Sequence, residues 1–406
     1  MGKFRAIGET SRKAWGRDRD GSISVLYAMG IIALLAVVGV ATDTSRAVSE
    51  HQAMRSSLDA AALVGAKMLE DAGMTDDEIT AASIAIFHEN LSSAHLDLVC
   101  QDPAVAIDRT AYRVDLTADC ALPAVFAGIV GTNEIDLGAT SGALANMTRL
   151  DVALMLDVSG SMGGQKLVDL KTAAKDAADI LITPSSNGRV RMAFNTYSTA
   201  VNAGTYAAAV KGPAYVPGET CVSERTGAAA FKDKAPAAGQ WMGLSASSCP
   251  ASSLQPLTGD KAAFKTGIDG LSAGGMTAGH LGVAWAWYLI APDWDDIWPA
   301  DSAPMAYDAP QGIKAVILMT DGQFNTQYDM AQGSSAAQSK KLCKKMRDEG
   351  VAVYAVAFQA PSSAKTVLKD CTGGDDTRFF DAADGDELKQ AYSKIASQLT
   401  NLRLAN

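Results

Sequence analysis

Residues Gly21 to Thr42 carry no charged side chain, and Val25 to Ala41 is almost wholly apolar. A helix needs about 20 such residues to cross a bilayer, and only a helix satisfies its own backbone polar groups in lipid. The run therefore predicts a transmembrane anchor over residues 22–42. Ahead of it lie Lys3, Arg5, Arg12, Lys13, Arg17 and Arg19 against Glu9, Asp18 and Asp20, a local charge of +3. Asp43, Arg46 and Glu50 follow it. The positive-inside bias makes residues 1–21 a cytoplasmic basic segment and puts everything after the anchor outside. The charged stretch is long and no A-x-A site closes the run, which favours a retained anchor over a cleaved signal peptide.

The anchor decides how the rest reads. With 406 residues and a hydrophobic fraction of 48%, the chain has room for two or three globular domains besides one span. The net charge of −10, with +3 in the first 20 residues, leaves −13 on the remainder and argues against nucleic acid as a partner. Six cysteines (100, 120, 221, 249, 343 and 371) all follow the anchor, and none forms a C-x-x-C pair. Zinc and thioredoxin-like chemistry are thereby disfavoured, and an even set outside the cytoplasm reads as structural disulfides. Sequential pairing (Cys100–Cys120, Cys221–Cys249, Cys343–Cys371) is the expectation, although sequence does not fix connectivity.

Residues 43–147 read as a small α+β stalk. Helical spacing runs from Asp43 to about Asp71, and Thr75-Asp76-Asp77-Glu78 caps a second helix to about Ser93. Alternation at Ala104–Ile107 and Tyr112–Leu116 predicts strands between Cys100 and Cys120. No catalytic constellation stands out there.

Residues 148–406 alternate strands with helices, the pattern of a doubly wound, mostly parallel α/β sheet. Buried strands are expected at Val152–Leu156, Arg189–Phe194, Thr199–Val201, Lys314–Thr320 and Val351–Phe358. Helices are expected at Lys166–Ile182, Asp260–Leu271, Ser339–Arg347 and, amphipathic, at the end of the chain. From about 203 to 257 periodicity collapses, which reads as an insertion closed by Cys221 and Cys249.

The first of these strands runs into Asp157-Val158-Ser159-Gly160-Ser161-Met162. Ligands of open α/β sheets bind beyond the carboxyl ends of the strands. Asp157, Ser159 and Ser161 converge with Thr277, from Gly274-Gly275-Met276-Thr277, and with Asp321, after Lys314–Thr320, if those two strands are neighbours. Two carboxylates and three hydroxyls suit a hard cation: Mg2+, with Mn2+ and Ca2+ as alternatives. A partner's carboxylate replacing a water on that cation is a mechanism for adhesion without bond chemistry.

These residues, with Thr320-Asp321-Gly322, resemble the metal-ion-dependent adhesion site of von Willebrand factor A domains. The resemblance implies that Asp157, Ser159, Ser161 and Thr277 ligate the metal, directly or through water, and that Asp321 acts through water. The uncharged run followed by Asp43-Thr44-Ser45-Arg46-Ala47 and Ser57-Leu58-Asp59-Ala60-Ala61-Ala62-Leu63 is similar to TadG-type proteins of tight-adherence (Flp) pilus systems. That likeness continues through Gly282–Leu289, Cys343 and Cys371. It implies a role in pilus assembly or anchoring at the bacterial cell envelope. With the charge pattern and cation chemistry above, the expectation is an inner-membrane protein with a cytoplasmic N-terminus and a periplasmic body, whose partner is a pilus or envelope protein presenting an acidic residue. Small pseudopilins have Glu five residues after a processed Gly; here Leu26 stands five after Gly21, so prepilin-type cleavage is not expected.

Other readings are weaker. Gly160–Lys166 lacks the G-K-[ST] of a phosphate loop, so no nucleotide is expected. No G-x-S-x-G elbow surrounds Ser159 or Ser161, and the one nearby base is His280, three residues after Thr277. A metal-dependent hydrolase would need it; the chain reads instead as a binding protein, not an enzyme. A surface adhesin for a host or matrix ligand is the alternative role. Trp285, Trp287, Trp294 and Trp298 pack the insertion or form a partner-binding lip, and Asp293, Asp295, Asp296 and Asp301 read as a solvated acidic loop.

Overall fold

The computed structural model describes residues 21–405 except 72, 95, 187, 243–245 and 247. The basic segment expected before the anchor lies outside the described residues. The chain divides into two compact units, Met1–Ala145 and Asn146–Asn406.

In the first unit α1 (Gly21–Leu69) is one unbroken helix of 49 residues. Its first half is apolar all round and bare, with Leu26, Tyr27, Ile32, Leu35 and Val37 exposed, as befits a helix that meets lipid. Within α1, the stretch from Ser24 is long and apolar enough to cross a membrane. Its second half buries Met54, Leu58, Ala61, Ala62, Ala66 and Leu69, a stripe at helical spacing. That stripe packs on α2 (Asp76–Ser93) and a small antiparallel sheet. A capping box starts α2: Thr75 accepts from the Glu78 backbone while the Glu78 carboxylate accepts from the Thr75 N–H. In the sheet β3 (Arg113–Pro123) lies between β4 (Glu134–Leu144) on one side and β1 (Val99–Cys100) with β2 (Ala104–Asp108) on the other. Cys100 sits opposite Cys120 across β1 and β3, and the two are bonded. Just beyond the anchor, buried Asp43 accepts the backbone N–H groups of Val125, Phe126 and Ala127, where a helical turn begins. This carboxylate ties the helix to its own unit immediately after the apolar half.

The second unit is a doubly wound sheet. Its strands are β5 (Arg149–Asp157), β6 (Val190–Tyr197), β7 (Val201–Asn202), β8 (Cys221–Val222), β9 (Gln255–Thr258), β10 (Gly312–Thr320), β11 (Ala352–Phe358) and β12 (Phe379–Ala382). The spatial order is β12-β11-β10-β5-β6-β7-β8, with β9 also on β6. From β12 to β6 the pairing is parallel; β7, β8 and β9 run antiparallel to their neighbours. On β5, Val152, Leu154 and Leu156 face one helical layer, α3 (Gln165–Leu181), α5 (Lys261–Asp269) and α9 (Gly385–Ala405). Ala153 and Met155 face the other, α6 (Gly279–Tyr288), α7 (Ser335–Asp348) and α8 (Ser362–Cys371). A strand covered on both faces has no polar side to show, which is why it reads as a continuous apolar run.

Residues 203–257 depart from the expectation. The Cys221–Cys249 disulfide closes the segment, yet it holds α4 (Ala207–Lys211), β8 and the start of β9, and both strands join the main sheet. Strands of two to four residues are too short to show a period, so the sequence concealed them. For the same reason the strand expected at Thr199–Val201 is reduced to Val201–Asn202. The tryptophans are buried and form no exposed lip: Tyr288 stacks on Trp294 at 4.4 Å and Trp294 on Trp298 at 5.5 Å between ring centroids. Arg225, from the insertion, lies over the Tyr288 and Trp294 rings at 5.2 and 5.4 Å. The cluster packs the insertion onto α6, whose ten residues are all buried.

A candidate cation site where the strand order reverses

The chain leaves β5 toward β6 on one side and later returns with β10 on the other, so the carboxyl ends of β5 and β10 form the sheet's switch point. Asp157 closes β5 and Asp321 follows β10 directly. The fully buried Asp157 carboxylate accepts the Ser159 N–H (2.8 Å) on Oδ1, and the Tyr197 (2.9 Å) and Thr320 (2.6 Å) hydroxyls on Oδ2. Ser159 and Ser161 share a hydroxyl–hydroxyl hydrogen bond at 3.1 Å, and Ser161 donates to Asp321 Oδ1 at 2.6 Å. Thr277 joins from the third loop: a Cβ placed on Gly322 would lie 3.4 Å from Thr277 Oγ1 and 3.6 Å from Ser161 Oγ. The loops are stitched by backbone bonds, Gly160 N–H to Gly275 O (2.9 Å) and Gly274 N–H to Val158 O (2.8 Å). All five residues singled out from the sequence therefore come together.

Two glycines make this possible. Gly275 has φ +88, and a Cβ there would meet Thr199 Oγ1 at 2.8 Å. A Cβ on Gly282 would strike Tyr197 Cδ1 at 2.6 Å, so a larger residue in α6 would push Tyr197 off Asp157.

Burial pushes the Asp157 carboxyl above its ordinary value; hydrogen bonds from Thr320 and Ser159 pull it down, and the neighbouring Asp321 charge adds to the rise. Burial likewise pushes the Tyr197 hydroxyl well up, so it stays a neutral donor to Asp157. The donor set is two carboxylates and three hydroxyls, all oxygen, which fits a hard divalent cation rather than a soft one. Among the described residues no group of three or more His, Cys, Asp or Glu side chains could hold a metal, so any cation here depends on the hydroxyls.

Four residues take roles that the sequence did not assign to them. Tyr197 and Thr320 orient Asp157. Lys166, at the start of α3, reaches Asp321 Oδ2 at 2.7 Å. Glu224, from the insertion, binds the His280 ring Nε2 with one oxygen and the Tyr328 and Asp329 N–H groups with the other. His280 Nδ1 meets Ser335 Oγ at 2.9 Å. Burial pushes the Glu224 carboxyl up, but the His280 ring and the two N–H groups together hold it below its ordinary value. His280 is thus committed on both nitrogens and offers no base at the Asp157 site. The Ser335–His280–Glu224 chain is buried, and the cavity beside His280 and Glu224 measures about 10 Å³, room for a water and not for a substrate. It is a strut that fixes the loops following Thr277 and Asp321. Glu224→Gln, which weakens a buried charge-assisted network, is expected to cost about 2–3 kcal/mol, read as a lowered urea midpoint; an unchanged midpoint would contradict the strut.

With this geometry in view, residues 21–68 match the family described as "Putative Flp pilus-assembly TadE/G-like". The N-terminal helix is TadE/G-like. No curated protein matches the chain. Among solved structures, the chain is similar to the vWF domain of the type V pili tip protein Mfa5 from Porphyromonas gingivalis (13% identity, TM-score 0.39, covering 63% of this chain and 96% of that one). It is also similar to the pilus adhesin SpaC from Lactobacillus rhamnosus GG (13% identity, TM-score 0.37, 75% of this chain and 34% of that one). A third is manganese-loaded TRAP protein from Plasmodium vivax (12% identity, TM-score 0.34, 61% and 72%). The chain thus spans about a third of SpaC. At these scores the likenesses carry no functional weight. Beyond that helix, the doubly wound, mostly parallel sheet rests on the observed strand order and pairing.

Proposed function

We propose that this membrane-anchored chain is a component of tight-adherence (Flp) pilus assembly that grips a protein partner's carboxylate through a divalent cation. Asp157, Ser159, Ser161, Thr277 and Asp321 are the residues proposed to hold it, with Mg2+ the first choice and Mn2+ or Ca2+ the alternatives. The observation that supports the reading is the convergence of these five side chains at the switch point in a chain with a TadE/G-like helix. A cation bound there supplies a Lewis-acidic centre for a carboxylate oxygen. The chain's part is to keep the oxygens in place: Tyr197 and Thr320 fix Asp157, and Ser161 fixes Asp321. With both His280 nitrogens turned to Ser335 and Glu224, we read the arrangement as suited to binding rather than to hydrolysis.

In this reading the N-terminus is cytoplasmic and the second unit lies outside the inner membrane. In-cell photo-crosslinking from Met276, beside Thr277, tests it. A crosslinked envelope protein in the inner-membrane fraction, lost when Asp157 is changed to Asn, is the expected result. Labelling of the second unit on the surface of intact cells, with the same crosslink absent, would instead favour the surface adhesin.

A further inference from the structure

The Lys166 ammonium is already paired with Asp321 at the candidate cation site. Both Asp321 oxygens are taken, Oδ1 by the Ser161 hydroxyl and Oδ2 by Lys166 at 2.7 Å, and the Asp321 side chain is fully buried. The Asp157 oxygens are likewise engaged, by Ser159, Tyr197 and Thr320. The pocket therefore has one carboxylate charge in surplus, not two. A divalent cation entering it would remain poorly neutralised until a further anion arrives. The Lys166 ammonium also lies 5.9 Å from the Phe358 ring centroid, and its side chain is about a quarter exposed.

We infer that Lys166 is a built-in counter-ion that makes divalent-cation capture conditional on a carboxylate ligand, so that cation and acidic partner bind together. This rests on the metal-site reading above. Like charges a few ångströms apart in a half-shielded site repel strongly enough to change affinity by an order of magnitude. Removing the ammonium should strengthen cation binding by itself and weaken its dependence on an anion.

The test is calorimetric titration of MgCl2 into the full chain in detergent micelles, with and without acetate as the carboxylate probe. The unaltered chain should bind Mg2+ weakly and gain about fivefold or more in affinity with saturating acetate. Lys166→Met should bind about tenfold more tightly without acetate and lose most of the acetate gain. Lys166→Gln, which keeps a polar tip, serves if the methionine variant fails to melt cooperatively. Equal or weaker Mg2+ binding in the folded variants, or an acetate gain that survives the substitution, overturns the role of Lys166. Absence of Mg2+ and Mn2+ binding in every chain, with and without acetate, overturns the metal site itself and this inference with it.

Discussion

Asp157→Asn is expected to abolish divalent-cation stabilisation of the chain while leaving it folded. A cation bound at a hundredfold excess over its Kd adds about 2.7 kcal/mol to the folded state, and the variant should show none of it. Without metal the expectation differs. The raised Asp157 pKa means that the folded state holds this proton more tightly than the unfolded chain does. The stability linked to that group is fully present below the unfolded value and is lost as pH rises through the folded one. At neutral pH in a chelator, the buried carboxylate is therefore a cost that Asn relieves, while the amide still accepts from Thr320 or Tyr197. The variant should melt in chelator no lower than the unaltered chain, and Mg2+ should raise the melting temperature of the unaltered chain alone. Alanine is the poorer probe. It leaves the Tyr197 and Thr320 hydroxyls without their acceptor in a dry site and would confound metal loss with unfolding.

The second large effect belongs to Cys343–Cys371. This disulfide joins α7 to α8 across a separation of 28 residues, and both sulfur-bearing side chains are fully buried in the core beside α6. By loop-closure entropy its loss should cost about 3–4 kcal/mol. The Cys343→Ala, Cys371→Ala double variant should show that loss as a lowered urea midpoint of the second unit. An unchanged midpoint would contradict a stabilising role for this bond.

What the sequence revealed follows from how each feature is encoded. Asp157, Ser159 and Ser161 lie within five residues after an unmistakable buried strand. Asp321 ends a second such strand, and β10 pairs directly with β5. These were legible because local pattern and topology rule agree. The helix from the anchor through Leu69 was also legible, since no proline interrupts it. The contacts made by Lys166, Tyr197, Thr320 and Glu224 were not. Tyr197 reaches Asp157 because the parallel register sets the two residues opposite each other, and Glu224 reaches His280 from an insertion with no readable period. Such partners exist only in tertiary register. His280 is of the same kind: it stands three residues from Thr277 at the start of α6, and its ring turns to Glu224 and Ser335 in a structural role.

Asp157, Ser159, Ser161, Thr277 and Asp321 are the residues proposed to hold a divalent cation. Electron paramagnetic resonance of Mn2+ titrated into the full chain in detergent, with acetate present, tests this most directly. A single bound Mn2+ per chain, displaced by Mg2+ and absent in Asp157→Asn, is the expected result. A free-Mn2+ signal undiminished by the unaltered chain, or bound Mn2+ that persists in the variant, would contradict the proposal.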